Sequence, residues 1–355
     1  MRWDYFITIV DEMDRKIKRY DEELSQLENQ LKESHGRERQ QIRTSIASVK
    51  EELRKSYEHE VNNEDKDNVA RAFAGCLVDD TTVWWFRKLK RKEDARTEIY
   101  MPIAQMLTVD EAGKVCDGLD FRPDFDKLPS SAWLGFQVDF ELLTPWYSKD
   151  DRVFHVLDNP VRKDRVFGVP FMAASSWKGM LRWAFRMCTK LAGPEQETEE
   201  GKLKQAKAWE LHLFGNEKAE GENFHQGAQV FYPTWFDRIG FEVINPHSRE
   251  RRAGTQPIYY EVAPPGAKGT LSLLYAPWPG MEPVAEAEEV LPKLLEAIEA
   301  LLTTYGISAK RTVGWGTAKI LKWHAFHKTE GTVEKDNRAD LEREVQAWLS
   351  AGGTP

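Results

Sequence analysis

"GVPFMAASSWKGMLRWAFR", residues 168–186, sets a run of small and hydroxyl-bearing residues directly ahead of a helical pattern. Ala173, Ala174, Ser175 and Ser176 have side chains short enough to let a backbone approach a ligand. Serine hydroxyls cap helices and donate to phosphate oxygens, and the free N–H groups of a helix start favour an anion. Lys178 and Arg182, four residues apart, fall on one helix face beside that start. The stretch reads as a phosphodiester site or as a capped helix with a solvated basic face. A helix is expected at about residues 176–191.

Working outward, "AWLGFQVDFELL" (132–143) has strand composition with partial alternation, and "GAQVFYPTWF" (227–236), "KGTLSLLYAPW" (268–278) and "TAKILKWHAF" (317–326) also read as strands. "EVLPKLLEAIEALLTTYG" is amphipathic and predicts a second helix at about residues 288–304. The order β, α, β, β, α, β predicts an α+β, ferredoxin-like (RRM-like) core: a four-stranded antiparallel sheet with two helices on one face. The connections at 144–174 and 238–267 exceed ordinary loops and are functional candidates. "RADLEREVQAWL" predicts one more short helix near the C-terminus.

The N-terminal region differs. From Met13 the spacing of Ile17, Tyr20, Leu24, Leu27 and Leu31 is that of a coiled-coil seam, resuming out of register at Ile42, Ile46, Val49 and Leu53. With Gly36 between them, the two runs predict an antiparallel helical hairpin that packs on its own body or docks a partner subunit. "NNEDKDN" reads as a linker and "VARAFAGCLV" as a short helix. "TTVWWFRKLKRK" (81–92) is a single-stranded nucleic-acid platform or an aromatic core with a basic face. The expected organisation is a hairpin or coiled coil at 1–61, a mixed extension at 62–130, the ferredoxin-like domain at 131–327, and a C-terminal helix and tail at 328–355.

With 355 residues, 41% apolar and 13 Trp, the chain has ample core material. It has no apolar run long enough to span a membrane and no leader-like N-terminus, so a cytoplasmic location with no membrane partner is expected. Cys76, Cys116 and Cys188 are too few and too scattered for a disulfide framework or a zinc site. The net charge of −8 argues against a general coat for nucleic acid, yet the charge is segregated. Arg152, Arg162, Lys163, Arg165, Lys178, Arg182 and Arg186 cluster within 151–186, while acid collects in "GPEQETEEGKLKQ" and "MEPVAEAEEV".

A second loop, "GISAKRTVGWGTAKI" (306–320), places Gly306, Gly314 and Gly316 around Lys310 and Arg311, between the second helix and the last strand. Two small-residue loops, each at a helix of the same sheet and each supplied with bases, suit one polyphosphate ligand.

The run Pro170–Arg182 resembles the Pro-x-Ile-Pro-Gly-Ser-Ser-x-Lys-Gly-x-x-Arg signature of the RAMP proteins, the repeat-associated subunits of type III CRISPR effector complexes. The loop "GISAKRTVGWG" is similar to their C-terminal glycine-rich loop, "FELLTPWYSKDD" to their first strand and Thr-Pro turn, and "LFG" (213–215) to the tripeptide after the first helix. "INPH" and "GAKGT" resemble the type III-B subunit at the crRNA 3′ end. Ala173-Ala174 replaces the usual Pro-Gly, which keeps small side chains but loses a flexible turn. The resemblance implies a crRNA-binding subunit partnered by target RNA and other effector subunits. Ser175, Ser176, Lys178 and Arg182 would face backbone phosphates, with Lys310 and Arg311 on the opposing loop.

In "VLDNPVRKDR" (156–165), Asp158 is similar to the loop aspartate with which the family's backbone subunits cleave target RNA. It implies, as the alternative, a Mg²⁺-dependent endoribonuclease with His155 and Asp164 as helpers. Asp-Asn-Pro is also plain turn chemistry. In a 3′-end scaffold the same loop would instead touch RNA or a neighbouring subunit through Arg162, Lys163 and Arg165. A stand-alone repeat-RNA endonuclease requires a His/His or His/Tyr acid–base pair, and the sequence alone displays none.

Overall fold

The computed structural model describes residues 19–20, 22–62, 101–105, 121–150, 157–164, 168–193, 200–216, 224–245, 247–248, 253–254, 257–278 and 284–352. Outside them lie Met13 and Ile17 of the seam, "VARAFAGCLV", "TTVWWFRKLKRK", Cys76, Cys116, His155, Arg165, and the linker beyond Asn62. The chain divides into two compact units, Met1–Leu107 with Asp151–Gly168, and Thr108–Asp150 with Val169–Pro355.

The first unit contains helix α1 (residues 22–33) and helix α2 (Gly36–Asn62), with the break directly before Gly36. Leu24 and Val49 are buried, Leu27, Leu31, Ile42 and Ile46 are partly buried, and most residues between them are exposed. The helical stripe is thus the apolar one read from the spacing.

The second unit is built on strand β1 (Leu134–Leu142). Leu134, Phe136, Val138, Phe140 and Leu142 occupy alternate positions and are all buried, as the period of two requires. Then follow β2 (Phe171–Met172), α3 (Ala174–Cys188), α4 (Glu200–Phe214), β3 (Gln229–Phe231), β4 (Thr234–Trp235) and β5 (Gly240–Ile244). The chain continues through β6 (His247–Ser248), β7 (Ala253–Gly254), β8 (Ile258–Val262), β9 (Lys268–Tyr275) and α5 (Ala287–Ala300). Strands β10 (Ala318–His327) and β11 (Gly331–Lys335) and helix α6 (Arg338–Gly352) complete it.

The main sheet has the order β11-β10-β1-β9-β3, and each neighbouring pair is antiparallel. The expected four strands are present, and β11 adds a fifth by a hairpin from β10. The other additions are α4, within a segment read as a solvated acidic stretch, and the ribbon of β5 with β8 and β6 with β7 in the second long connection.

Trp177, Leu181, Ala184 and Phe185 of α3 and Val290, Leu291, Leu294, Leu295 and Ile298 of α5 are buried at three- and four-residue spacings. Trp177 lies edge-on to Phe140, and its Nε1 donates to Thr234 Oγ1 at 3.0 Å, which in turn donates to the Thr270 carbonyl at 2.6 Å. The Trp inside the signature is therefore core, and truncating such a side chain to Ala costs roughly 3–5 kcal/mol. On the other face the Phe125 ring lies over Gly135, where an added Cβ would come within 2.7 Å of it, and packs with Leu128, Leu274 and Phe326.

Register defines two ends of this sheet. Leu134 pairs with both Tyr275 and His327 at one end, and Leu142 pairs with Ala318 at the other. A nine-residue strand separates them by about 27 Å. The loop before β10 lies at the Leu142 end, whereas α5 begins at the Leu134 end.

Candidate nucleic-acid interface

The loop 306–317 is closed at its neck by backbone. Ile307 N–H donates to the Gly316 carbonyl at 2.9 Å, and a Cβ at Gly316 would sit 2.3 Å from the Ser308 nitrogen. Gly316 has φ +90, so both conformation and close approach demand glycine. The Thr-Pro turn after β1 anchors the loop. Trp146 Nε1 donates to the Ile307 carbonyl at 2.9 Å, and Ala309 N–H donates to the Tyr147 carbonyl at 2.8 Å. Ser308 Oγ accepts from Tyr147 N–H at 3.0 Å and donates back to the Tyr147 carbonyl at 3.2 Å. Two motifs some 160 residues apart, "FELLTPWY" and "GISAKRTVGWG", are thereby one structure.

Four aromatics shape what this loop presents. Lys310 Nζ lies over the Tyr260 ring at 4.5 Å, and the Arg311 guanidinium lies over the Trp183 ring at 4.4 Å. Trp315 and Tyr147 each meet Tyr260 edge-on. Burial, then Tyr260 and the Glu261 carboxylate, hold the Tyr147 hydroxyl protonated far above the usual phenol range. Cation–π contacts of this kind stabilise by about 0.5–1 kcal/mol where solvent reaches them. A ring carries no opposite charge, and neither cation has an ion-pair partner among the described residues. Arg311 Nη1 is buried without a hydrogen-bond partner among the described residues. Since Trp183 is on α3, the Arg311 contact joins the glycine-rich loop to the signature helix.

The serines of that signature do not cap the helix. Ala173 is the N-cap, with extended backbone and no side-chain bond, because the helix starts one residue ahead of the serines. Ser175 and Ser176 therefore stand in the first turn, Ser175 exposed. Lys178 is exposed and has no ion-pair partner among the described residues. Arg182 differs: its Nε meets Glu210 Oε1 of α4 at 2.5 Å, with Arg186 3.9 Å from the other carboxylate oxygen. Cys188, at the end of α3, is a free thiol pushed up to about 11 by burial and then by Glu296, which removes it from nucleophilic chemistry.

Asp158 is exposed in the bend at 157–159, Arg162 and Asp164 are partly exposed, and Lys163 is buried. These residues belong to the first unit, the loop and α3 to the second. Among the described residues no group of three His, Cys, Asp or Glu side chains is placed to hold a metal ion. The sequence reading missed Trp183, Tyr260, Trp315 and Glu210. Aromatics in a Trp-rich chain look like core until the cations over them are seen, and an acid on an unrecognised helix has no signature.

The architecture defines a class: an antiparallel sheet packed with helices and, at one end, a backbone-closed loop presenting cations on aromatic rings. The RAMP superfamily profile matches residues 139–319, just over half of the chain, and the chain belongs to that superfamily. Among solved structures, a chain of the type III-B Cmr-beta complex bound to cognate target RNA is 14% identical, covering 81% of this chain and 92% of that one, with a TM-score of 0.43. A chain of the Csm3-Csm4 subcomplex of the type III-A CRISPR-Cas interference complex is 19% identical, covering 64% of this chain and 100% of that one, with a TM-score of 0.37. No curated protein matches the chain. No helix among the described residues is long and apolar enough to cross a membrane.

Proposed function

We propose that the chain is a crRNA-binding subunit of a type III CRISPR ribonucleoprotein, working in RNA-guided antiviral defence beside other effector subunits. Membership of the RAMP superfamily supports this reading, and one observation carries it: Lys310 and Arg311 lie over Tyr260 and Trp183 with no ion-pair partner among the described residues, Trp183 being on the helix that bears exposed Lys178. Such an array takes backbone phosphates on the cations and stacks bases on the rings. The core is ferredoxin-like in this reading. Its supports are the element order β1, α3, β3, β9, α5, β10 and the spatial order β10-β1-β9-β3. Helices α1 and α2 act as the hairpin or coiled coil that docks a neighbouring subunit, and the complex works in the cytoplasm.

The test is RNA binding by fluorescence anisotropy over a salt series. Lys178→Ala weakens binding for all sequences alike and lowers the salt slope by about 0.7, the share of one phosphate contact to a single strand. Unchanged affinity at moderate salt would show that this face is merely solvated.

The exposure of Asp158 keeps a second reading in play, the Mg²⁺-dependent target-cleaving subunit. One protein carboxylate holds Mg²⁺ only together with substrate phosphates. The residues present would supply one ligand, and the RNA the rest.

A further inference from the structure

The Leu134 end of the sheet, opposite the glycine-rich loop, holds a cavity of about 630 Å³ within the second unit. Its chemistry is the reverse of the loop's. Glu286, Glu288 and Glu330 line it, and among the described residues no Lys or Arg does. None of these three carboxylates is ion-paired among the described residues, and Glu286 and Glu288 stand at the start of α5, where a helix N-terminus would otherwise favour an anion. One wall is the indole of Trp278, 59% exposed. The floor is polar and buried: His212 Nε2 and Tyr275 Oη are 2.9 Å apart, and burial with neighbouring His225 lowers the His212 pKa, which keeps that ring neutral. His327, also lining the cavity, is committed elsewhere, with Nε2 donating to the Ser131 carbonyl at 2.7 Å and Nδ1 accepting from Glu330 N–H at 3.3 Å.

Gln229 lies beside the cavity without lining it. It is 7% exposed, sits directly across the β3–β9 ladder from Tyr275, and follows Ala228 of the cavity lining. Neither amide atom of its side chain has a hydrogen-bond partner among the described residues. Unpaired polar groups in such positions cost stability unless a ligand or water meets them.

Three carboxylates with no Lys or Arg in the described lining repel phosphate and attract a cation, and an exposed indole in the same lining selects a flat one. We propose that this cavity receives the guanidinium of an arginine from a neighbouring protein chain, stacked on Trp278 and ion-paired with Glu286 and Glu288. Guanidinium is planar, weakly hydrated and forked to match carboxylates, so it fits indole and acid together better than an ammonium does. The RAMP body would then grip RNA at one end of its sheet and protein at the other. This assignment rests on the cavity alone and stands or falls separately from the RNA reading.

The test uses the full chain labelled with 5-fluorotryptophan, the Trp278 resonance being assigned with Trp278→Phe. Titration with N-acetylarginine methylamide shifts that ¹⁹F resonance saturably. The neutral citrulline isostere leaves it in place, and Glu286→Gln with Glu288→Gln weakens the response about ten-fold, two charge pairs being lost. Unchanged dispersion of the other fluorotryptophan resonances shows that this double variant is folded, and its RNA affinity equals that of the parent chain. No shift with the arginine derivative, or an equal shift with citrulline, overturns the proposal. Tighter binding of spermidine would assign the cavity to a polyamine, a response to adenosine instead would assign it to a base, and a parallel loss of RNA affinity would make it part of the RNA surface. Each of these three also overturns it.

Discussion

Arg311 illustrates how little of a residue's role lies in its own identity. Its charge was legible from "GISAKRTVGWG", but its partner Trp183 lies 128 positions away in sequence, and only the fold makes the pair. Residue types at fixed spacing are visible in a sequence, whereas pairings across elements depend on packing that no local pattern encodes. The Arg311→Ala and Trp183→Leu variants, measured singly and together in urea, are expected to show a coupling of about 0.5–1 kcal/mol, and additivity would mean the contact contributes nothing. The His212–Tyr275 pair was equally hidden, the two residues belonging to different elements 63 positions apart. Burial, then His225, lowers the His212 pKa below its ordinary 6.5. Above that value both folded and unfolded chains carry a neutral ring, so nothing is lost. As pH falls through it, the unfolded chain takes up a proton that the native state refuses, and stability drops by up to about 1.4 kcal/mol per pH unit until the native ring also titrates. Urea midpoints at about pH 7.5 and about pH 5.5 should therefore converge for the parent chain and His212→Asn as the medium becomes acidic. A constant gap between them would deny the shift.

At the scale of elements, β1, α3 and α5 were legible because their apolar periods of two and 3.6 match their buried faces, whereas β9, buried at six consecutive positions, and β10 were legible from strand composition. Helix α4 was not, since its buried positions include His212 and its best-paired residue is Glu210, so polar residues interrupt the apolar stripe. Strand β11 is an edge strand with side chains exposed or half-exposed throughout, held by backbone pairing to β10. Backbone hydrogen bonds leave no side-chain pattern to read. The loop's three glycines were seen, but which of them the geometry requires was not. Gly314 has φ +83 with nothing within 4 Å of an added Cβ, so Gly314→Ala meets backbone strain alone, about 1–2 kcal/mol. Gly316→Ala adds a collision with Ser308 backbone that no side-chain rotation relieves. Urea denaturation should place Gly316→Ala at least about 2 kcal/mol below Gly314→Ala, with RNA affinity lost in the former first. Equal costs would mean that the neck opens without penalty.

On the scale of the whole molecule, a net charge of −8 conceals opposite ends, cations over aromatic rings beyond Leu142 and unpaired carboxylates around Leu134. Segregation of this kind was visible along the chain as basic and acidic stretches, but their placement at the two ends of one sheet follows from strand order and register. The body has its own sheet and two-faced core, so a chain lacking residues 1–60 should keep the cooperative unfolding of that body while losing co-purification with its effector subunits. Retained assembly would mean that α1 and α2 only pack locally. The choice between scaffold and nuclease turns on Asp158. An exposed carboxylate that helps a displacement acts on the transition state more than on binding, so in a cleaving subunit Asp158→Ala would abolish one set of Mg²⁺-dependent cuts while crRNA and target affinity stayed within a few-fold. The extended N-terminal helices and the "INPH" segment fit a specialised terminal subunit better than a repeated cleaving one. A terminal subunit contributes contacts rather than a reacting group. The expected outcome in the reconstituted complex is therefore an unaltered cutting pattern with Asp158→Ala, read on end-labelled target RNA, and the disappearance of even one cut would transfer the chain to the nuclease reading.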